Sequence, residues 1–312
     1  MLAKRLASLC VTLLILSGLI FAVLDVLPGD PAAIMLGTSA TPEKVATLRH
    51  DMALDRPAPV RYLEWLRGVA TGDLGTSLSY GVPVSGLIAE RSAVTLPLAI
   101  LAMLLAIGIG LPLGTAAAAS RGGPLDLAAT LYAQIGIAVP SFWIGLLLIL
   151  GVSLELGWLP ADGFPGWGGG PWGGIKALVL PAVALGLPQS AVLTRVTRAA
   201  VIDVMNDDFV RTARAKGLTR RQALWRHVLP NALVPVVTII GLQVSFLVAG
   251  AVLVENVFTL PGLGRLAWQA LAQRDLIVIK DVILILAAAV VVVNWLVDVL
   301  AARLDPRLRG GA

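Results

Sequence analysis

Six strongly apolar stretches constrain this chain more than anything else in it. Residues 6–24, 92–120, 127–154, 177–194, 228–254 and 282–297 contain no Asp, Glu, Lys or Arg, and they are 19, 29, 28, 18, 27 and 16 residues long. A helix needs roughly 20 mostly apolar residues to cross the hydrocarbon layer of a bilayer. The last stretch reaches that length if Asp298 sits at the exit and the helix runs on to Ala301. A carboxylate in the last turn reaches the headgroups and avoids the ~2.5–3.5 kcal/mol of a mid-bilayer charge. Pro181 and Pro188 fall inside the fourth stretch, where neighbouring helices can satisfy the freed carbonyls. The expected fold is all-α and polytopic, with six transmembrane helices. Hydrophobic residues make up 57% of the chain and charged residues 14%, with mean hydropathy +0.87. That excludes a disordered chain, a coiled coil and an ordinary soluble enzyme, whose charged share is ~25%.

Lys4 and Arg5 precede the first stretch, as they would in a cleavable signal. The run is longer than the ~7–15 apolar residues of such a signal, and no clean small-x-small site follows. It reads as a retained helix. Cytoplasmic loops carry the Lys and Arg excess. With the N-terminus inside, inner segments hold 14 of the 24 Lys and Arg, and the short outer segments hold four, Lys176, Arg265, Arg274 and Lys280. The expected topology is N-in, C-in. It explains the net charge of +5 without a nucleic-acid partner. The single cysteine, Cys10, and two distant histidines, His50 and His227, give no metal site, no cofactor site and no catalytic constellation. His227 beside Arg226 reads as an interfacial residue.

Residues 31–91 form an expected outer segment. Thr41-Pro42-Glu43 predicts an N-cap, a proline at N1 and an acid in the first turn of a helix of about three turns. Val60, Tyr62, Leu63, Trp65, Leu66 and Val69 predict a second, amphipathic helix, and Gly72-Asp73-Leu74-Gly75 a turn. The segment reads as a cap on the membrane domain or as a docking surface for an external partner. Residues 163–174, rich in Gly, Pro and Trp, predict a flexible loop at the outer membrane surface.

The inner loop between the fourth and fifth stretches, residues 195–227, is longer than the ~2–8 residues of a simple helix–helix connection. Asp207 or Asp208 can cap a short helix that runs through Lys216. Gly217 suits a left-handed C-terminal turn. Thr219-Arg220-Arg221-Gln222 fits the capping box of a second helix. Phe209, Val210 and Ala213 make an apolar patch beside the cationic Arg211, Arg214 and Lys216. The residues alone leave two readings open: a basic helix lying on anionic lipid, or a docking element for a cytosolic protein.

The spacing in this loop resembles that of binding-protein-dependent ABC importers, whose inner loop carries Glu-Ala-Ala-x3-Gly-x9-Ile-x-Leu-Pro. Here Arg211-Thr212-Ala213 is followed by Gly217, then nine residues, then His227-Val228-Leu229-Pro230. Arg211, Thr212 and His227 depart from the pattern. The stretch from Arg211 to Leu218 is similar to the variant of the dipeptide/oligopeptide/nickel permease subfamily. So are Leu27-Pro28-Gly29-Asp30-Pro31, Gly72-Asp73-Leu74-Gly75-Thr76-Ser77, Val139-Pro140-Ser141-Phe142-Trp143, the region from Glu255 to Phe258, Pro261-Gly262-Leu263-Gly264 and the ending Leu304-Asp305-Pro306-Arg307.

The resemblance implies the type I ABC importer permease fold. Its parts would be an N-terminal transmembrane helix (1–30), a periplasmic segment (31–91), a five-helix core (92–302) with a coupling loop (195–230), and a cytoplasmic tail (303–312). It implies a subunit in the bacterial inner membrane working with a second homologous permease, two ABC ATPase subunits, an external substrate-binding protein and the lipid bilayer. The substrate would be a di- or oligopeptide; nickel or another small solute is the alternative. Asp208, Phe209, Arg211, Thr212, Ala213, Arg214, Ala215, Lys216, Gly217 and Leu218 would couple to the ATPase. Gln134, Gln189, Gln243, Ser245 and Asn294 would line the substrate path, or simply join helices. Glu255 and Asn256 would contact the binding protein, or cap a helix. The chain contains no Gly-Lys dipeptide and so no P-loop; it is not expected to be an enzyme. A proton-coupled carrier would need ionisable groups at mid-membrane, and the apolar stretches leave only Asp25 and Asp298 near span ends. An intramembrane hydrolase would need a nucleophile beside a base, and both histidines lie outside the stretches. A structural scaffold would not need the loop spacing.

Overall fold

The computed structural model describes residues 2–26, 30–51 and 54–304. The Leu27-Pro28-Gly29 part of the first resemblance string and the ending from Asp305 onward lie outside the described residues. In chain order the α-helices are α1 (Leu2–Asp25), α2 (Pro31–Leu36), α3 (Pro42–Asp51), α4 (Ala58–Thr71), α5 (Val84–Ala119), α6 (Pro124–Ala138), α7 (Ser141–Leu148), α8 (Pro171–Met205), α9 (Asp208–Ala215), α10 (Arg220–Ala223), α11 (Leu229–Val257), α12 (Leu263–Gln273) and α13 (Leu276–Leu304). Two π-helical segments, Ile149–Glu155 and Leu224–Val228, extend α7 and join α10 to α11.

Five helical stretches are long and apolar enough to cross a bilayer: Leu6–Asp25, Val84–Ala119, Pro171–Met205, Arg220–Val257 and Leu276–Val297. The third apolar stretch is not one continuous helix. Pro124–Ala138 and Ser141–Glu155 meet at a bend of 100°, and counting the pair as one span gives six. The bend has a local cause. Val139 precedes Pro140 and is extended (φ −88°, ψ 123°), because the proline ring disfavours helical backbone in the residue before it. Pro181 and Pro188, by contrast, sit inside α8 without ending it.

The chain divides into two compact units, and the division falls within α5 and α13. The first contains Met1–Thr95 and Pro261–Val292, the second Leu96–Leu260 and Val293–Ala312. In the first, Ile20, Leu24, Trp65, Val84, Leu266 and Ile279 form a buried core. The expected cap of α3 is present, with Lys44 N donating to Thr41 Oγ1 at 3.4 Å. Helix α4 ends at Gly72, φ 80°. Its inward face is Tyr62, Trp65 and Val69, while Val60 and Leu63 remain exposed.

The polar fastening of this unit centres on Asp275, fully buried at the start of α13. Its Oδ1 accepts from Val278 N (3.3 Å), and its Oδ2 accepts from Ser77 Oγ (2.6 Å) and Ser79 N (3.1 Å). It therefore caps a helix and holds the 76–83 turn at once. Asp275→Ala leaves two buried donors, Ser77 Oγ and Val278 N, unpaired, at about 1–3 kcal/mol each. The expected result is faster protease cleavage within residues 72–83, while Asp275→Asn, which keeps an acceptor, is affected less.

Ionisable groups are not confined to Asp25 and Asp298. Asp281, the sixth residue of α13, is buried and accepts from Trp65 Nε1 at 2.6 Å. Lys280 Nζ lies 5.4 Å from the Trp65 ring and 5.9 Å from that of Phe21. Asp126 on α6 and Arg198 on α8 form an ion pair.

In the second unit α8 is the central helix, packed against α6, α7 and α11. Glycines allow the close approaches. A Cβ on Gly114 of α5 would come within 2.6 Å of Thr194 O and 2.8 Å of Thr197 Cβ, and one on Gly110 within 2.6 Å of Leu193 Cβ. This Gly-x-x-x-Gly spacing brings helices together where no hydrophobic effect drives them. The 163–174 loop is better anchored than expected. Gly163 N donates to Phe258 O (3.1 Å), Phe164 meets Trp167 edge to face at 5.2 Å, and the Trp167 ring covers Gly174.

Candidate functional site

The apolar run of the fourth stretch stops at Thr194, but its helix does not. Helix α8 continues to Met205, so residues 195–205 are helix and not loop. Likewise Arg220–Val257 is helical throughout, and Pro230 falls in the first turn of α11. The connecting element is residues 206–219 with α9 at its centre. Asp207 is the extended N-cap residue (φ −68°, ψ 148°), and its carbonyl accepts from Val210 N and Arg211 N. Its side chain makes no cap hydrogen bond. Asp208 lies in the first turn and Arg214 in the last, the arrangement that suits the helix dipole.

The C-terminus closes as the sequence predicts. Gly217 has φ 94°, Leu218 N donates to Ala213 O (3.3 Å), and Gly217 N donates to Arg214 O (3.0 Å). These are the two bonds of a Schellman turn. The Thr219–Gln222 capping box is complete, with Gln222 N donating to Thr219 Oγ1 (3.3 Å) and Thr219 N to Gln222 Oε1 (2.9 Å). A short helix, a left-handed glycine and a capping box thus follow one another between Asp207 and Gln222.

Only two residues of α9 face inward. Val210 and Ala213 are buried, and Val210 joins Ala118, Val201, Ala223, Leu224 and Val228 in one apolar cluster. Asp208, Phe209, Arg211, Thr212, Arg214, Ala215, Lys216 and Gly217 are exposed, and Leu218 is half-buried. The Arg211–Asp208 ion pair, 3.3 Å apart on the surface, contributes little to stability. Phe209 leaves 42% of its surface exposed, and Trp225, on the π-helical segment, 57%. The helix is therefore seated on one side through Val210 and Ala213 and presents an aromatic ring and charges on the other. Sequence reasoning did not single out Trp225.

The candidate path residues are not gathered into one site. Gln243 Nε2 donates to Gln189 Oε1 at 2.5 Å, joining α11 to α8. Gln134 is exposed on α6, and Ser245 and Asn294 are half-buried. Glu255 is fully buried, so its side chain offers no surface to an external protein. Asn256 donates back to Val252 O, one turn earlier. Among the described residues no group of three or more His, Cys, Asp or Glu could hold a metal.

Residues 110–310 match the family model described as binding-protein-dependent transport system inner membrane component, and residues 1–99 match its N-terminal companion. The chain belongs to this family of inner-membrane permeases. The permease is 41% identical over 306 residues to a putative peptide transport system permease protein of Brucella abortus, covering 98% of both chains. It is 37% identical over 308 residues to a probable peptide ABC transporter permease protein of Sinorhizobium fredii, again covering 98% of both. It is 39% identical over 306 residues to a glutathione transport system permease protein of Salmonella typhi, covering 98% of this chain and 97% of that one. The permease shares its fold with a methionine ABC transporter solved in inward-facing conformations: TM-score 0.58, 18% identity, 70% of this chain and 96% of that one. The family membership accounts for a multi-pass chain in the inner membrane that serves an ABC importer with ATPase and substrate-binding partners.

Proposed function

We infer that this permease forms the solute path of an importer for di- or oligopeptides, paired with a second homologous permease. The observation that carries the substrate class is the full-length likeness to permeases named for peptide and glutathione transport. The chain has no Gly-Lys dipeptide, so hydrolysis of ATP belongs to two separate subunits. Moving a gate from 1:99 to 99:1 takes about 5.5 kcal/mol of differential binding, and that energy has to enter through a physical contact. A short helix closed by a Schellman turn and seated on an apolar cluster transmits force better than a floppy linker. Helix α9 is therefore the ATPase-coupling helix, with Phe209 and the charges around it at the contact. The Lys and Arg distribution supports an N-in, C-in topology with α9 on the cytoplasmic face, residues 31–91 outside and residues 303–312 inside.

The test is uptake by proteoliposomes that hold the permease pair and its ATPases. Import of a labelled dipeptide is expected only with ATP inside and the cognate binding protein outside, unchanged by a protonophore. Uptake of nickel alone under the same conditions would replace the peptide assignment, and collapse of uptake with the proton gradient would overturn the ATP-driven one.

A further inference from the structure

We propose that Asp126 and Arg198 are positioning residues of the transport cycle: their ion pair locks α6 to α8 at the end of α8 that leads into α9, so that a displacement of α9 moves α6 as well. The inference rests on the reading of α9 as the coupling helix.

The contact between α6 and α8 is a seam of small side chains. Gly136 of α6 lies so close to α8 that a Cβ there would come within 2.6 Å of Ala191 Cβ. Asp126, Ala129 and Ala133 are buried along α6 at helical spacing, and Ser190, Ala191, Thr194 and Thr197 along α8. A seam of Ala, Gly and Ser side chains fits closely, but it has few ridges to resist sliding. Directional contacts must fix its register. Two are present. Tyr132 OH bonds Ser190 Oγ at one level. Nearer the end of α8, Arg198 grips Asp126 with both arms of its guanidinium: Nε donates to Oδ1, and Nη2 donates to Oδ2 at 2.9 Å. The paired geometry fixes orientation as well as distance.

The pair is held from both sides. Asp126 is buried with 8% of its side chain exposed, and its Oδ2 also accepts from Gly122 N at 2.9 Å, which ties in the turn that begins α6. On α8, the backbone beside Arg198 is pressed against Gly114 of α5, whose Cβ would lie 3.1 Å from Arg198 N. One turn further along α8, Val201 belongs to the cluster that seats Val210 of α9. Arg198 thus stands between the coupling helix and the seam, ten residues before Asp208. An apolar pair would hold two helices together equally well. A forked ion pair adds a single permitted register, which a moving part requires.

The experiment uses the whole importer in liposomes and measures ATP hydrolysed per peptide imported, with thermal stability read in parallel. Arg198→Lys keeps the charge but loses the fork. It and Arg198→Asp are each expected to raise ATP consumed per peptide by about fivefold or more, the low end of ordinary coupling energies. The reversed pair, Asp126→Arg with Arg198→Asp, is expected to bring the ratio back toward wild type. Gly217→Val serves as the control for α9. If Arg198→Lys keeps the wild-type ratio while Gly217→Val uncouples, the pair does not position α6 and the coupling helix stands. A lowered melting temperature with an unchanged ratio likewise reduces the pair to a structural bond and overturns the proposal. If Gly217→Val also keeps the wild-type ratio, it is the α9 reading that has failed. Should Arg198→Asp not assemble, Arg198→Lys and the reversed pair still decide.

Discussion

Gly217→Val is expected to abolish solute uptake while leaving the chain inserted and at normal abundance. Gly217 has φ 94°, a backbone conformation that strains any residue with a Cβ and a β-branched one most. The left-handed region alone costs L-residues about 1–2 kcal/mol. Nothing lies within 4 Å of where its Cβ would be, so the substitution acts through backbone strain and not through a clash. That strain opposes the Leu218–Ala213 and Gly217–Arg214 bonds and frays the last turn of α9. The six apolar stretches are untouched, so insertion is unaffected. Val210→Asp strikes the same element from its buried side. A carboxylate in the Ala118–Val201–Leu224 cluster has no partner and costs several kcal/mol. Uptake and membrane abundance, measured together, check both variants: lost uptake with normal abundance is expected, and full uptake by both would remove α9 from the mechanism.

Gly114→Leu is expected to prevent accumulation of a folded chain. The added Cβ alone would lie 2.6 Å from Thr194 O and 2.8 Å from Thr197 Cβ. The first of these is backbone and cannot rotate away, so α5 and α8 must separate. Overpacking of a tight core costs about 1–3 kcal/mol, and here the wedge also opens the contacts at Gly110 and beside Arg198. Gly108→Ala is the matched control. It lies on the same helix with nothing within 4 Å of its would-be Cβ, and alanine is favoured over glycine in a helix by about 1 kcal/mol. Detergent-solubilised yield and melting temperature are expected to fall sharply for Gly114→Leu and to hold or rise for Gly108→Ala.

Much of this molecule is legible in its sequence because the bilayer simplifies the code. Long charge-free runs mark helices, and the marks are reliable for existence and unreliable for ends. Arg195 ends the fourth apolar run, yet α8 continues for eleven residues from it to Met205, since charge stops hydrophobicity and not helix formation. At Val139-Pro140 the proline marks a place for a kink, but it does not show that the bend there reaches 100°. The run is uniformly apolar, and Pro140 restricts its neighbour no differently from Pro181 and Pro188, which α8 absorbs, so nothing local in the sequence tells a broken span from a continuous one. The local signals around α9 were legible in detail: Thr219-x-x-Gln222 and Gly217 are read by bonds between near neighbours.

Contacts distant in sequence were not legible. Asp126–Arg198, 72 positions apart, and Ser77–Asp275, 198 apart, left no periodic trace. Each acid stands near the start of a helix, where a bland capping or dipole role also explains it. Glu255 misled for a related reason: a charged residue near the end of a span suggests the surface, whereas this one is fully buried.

The central claim is that a separate ATP-hydrolysing protein grips α9. It is tested most directly by replacing Phe209 with a benzophenone amino acid, irradiating native membranes and identifying the adduct. A covalent product with a P-loop protein, its yield changed by trapping nucleotide on that protein, is the predicted result. Adducts with lipid alone would contradict it and leave α9 as a helix lying on the membrane surface.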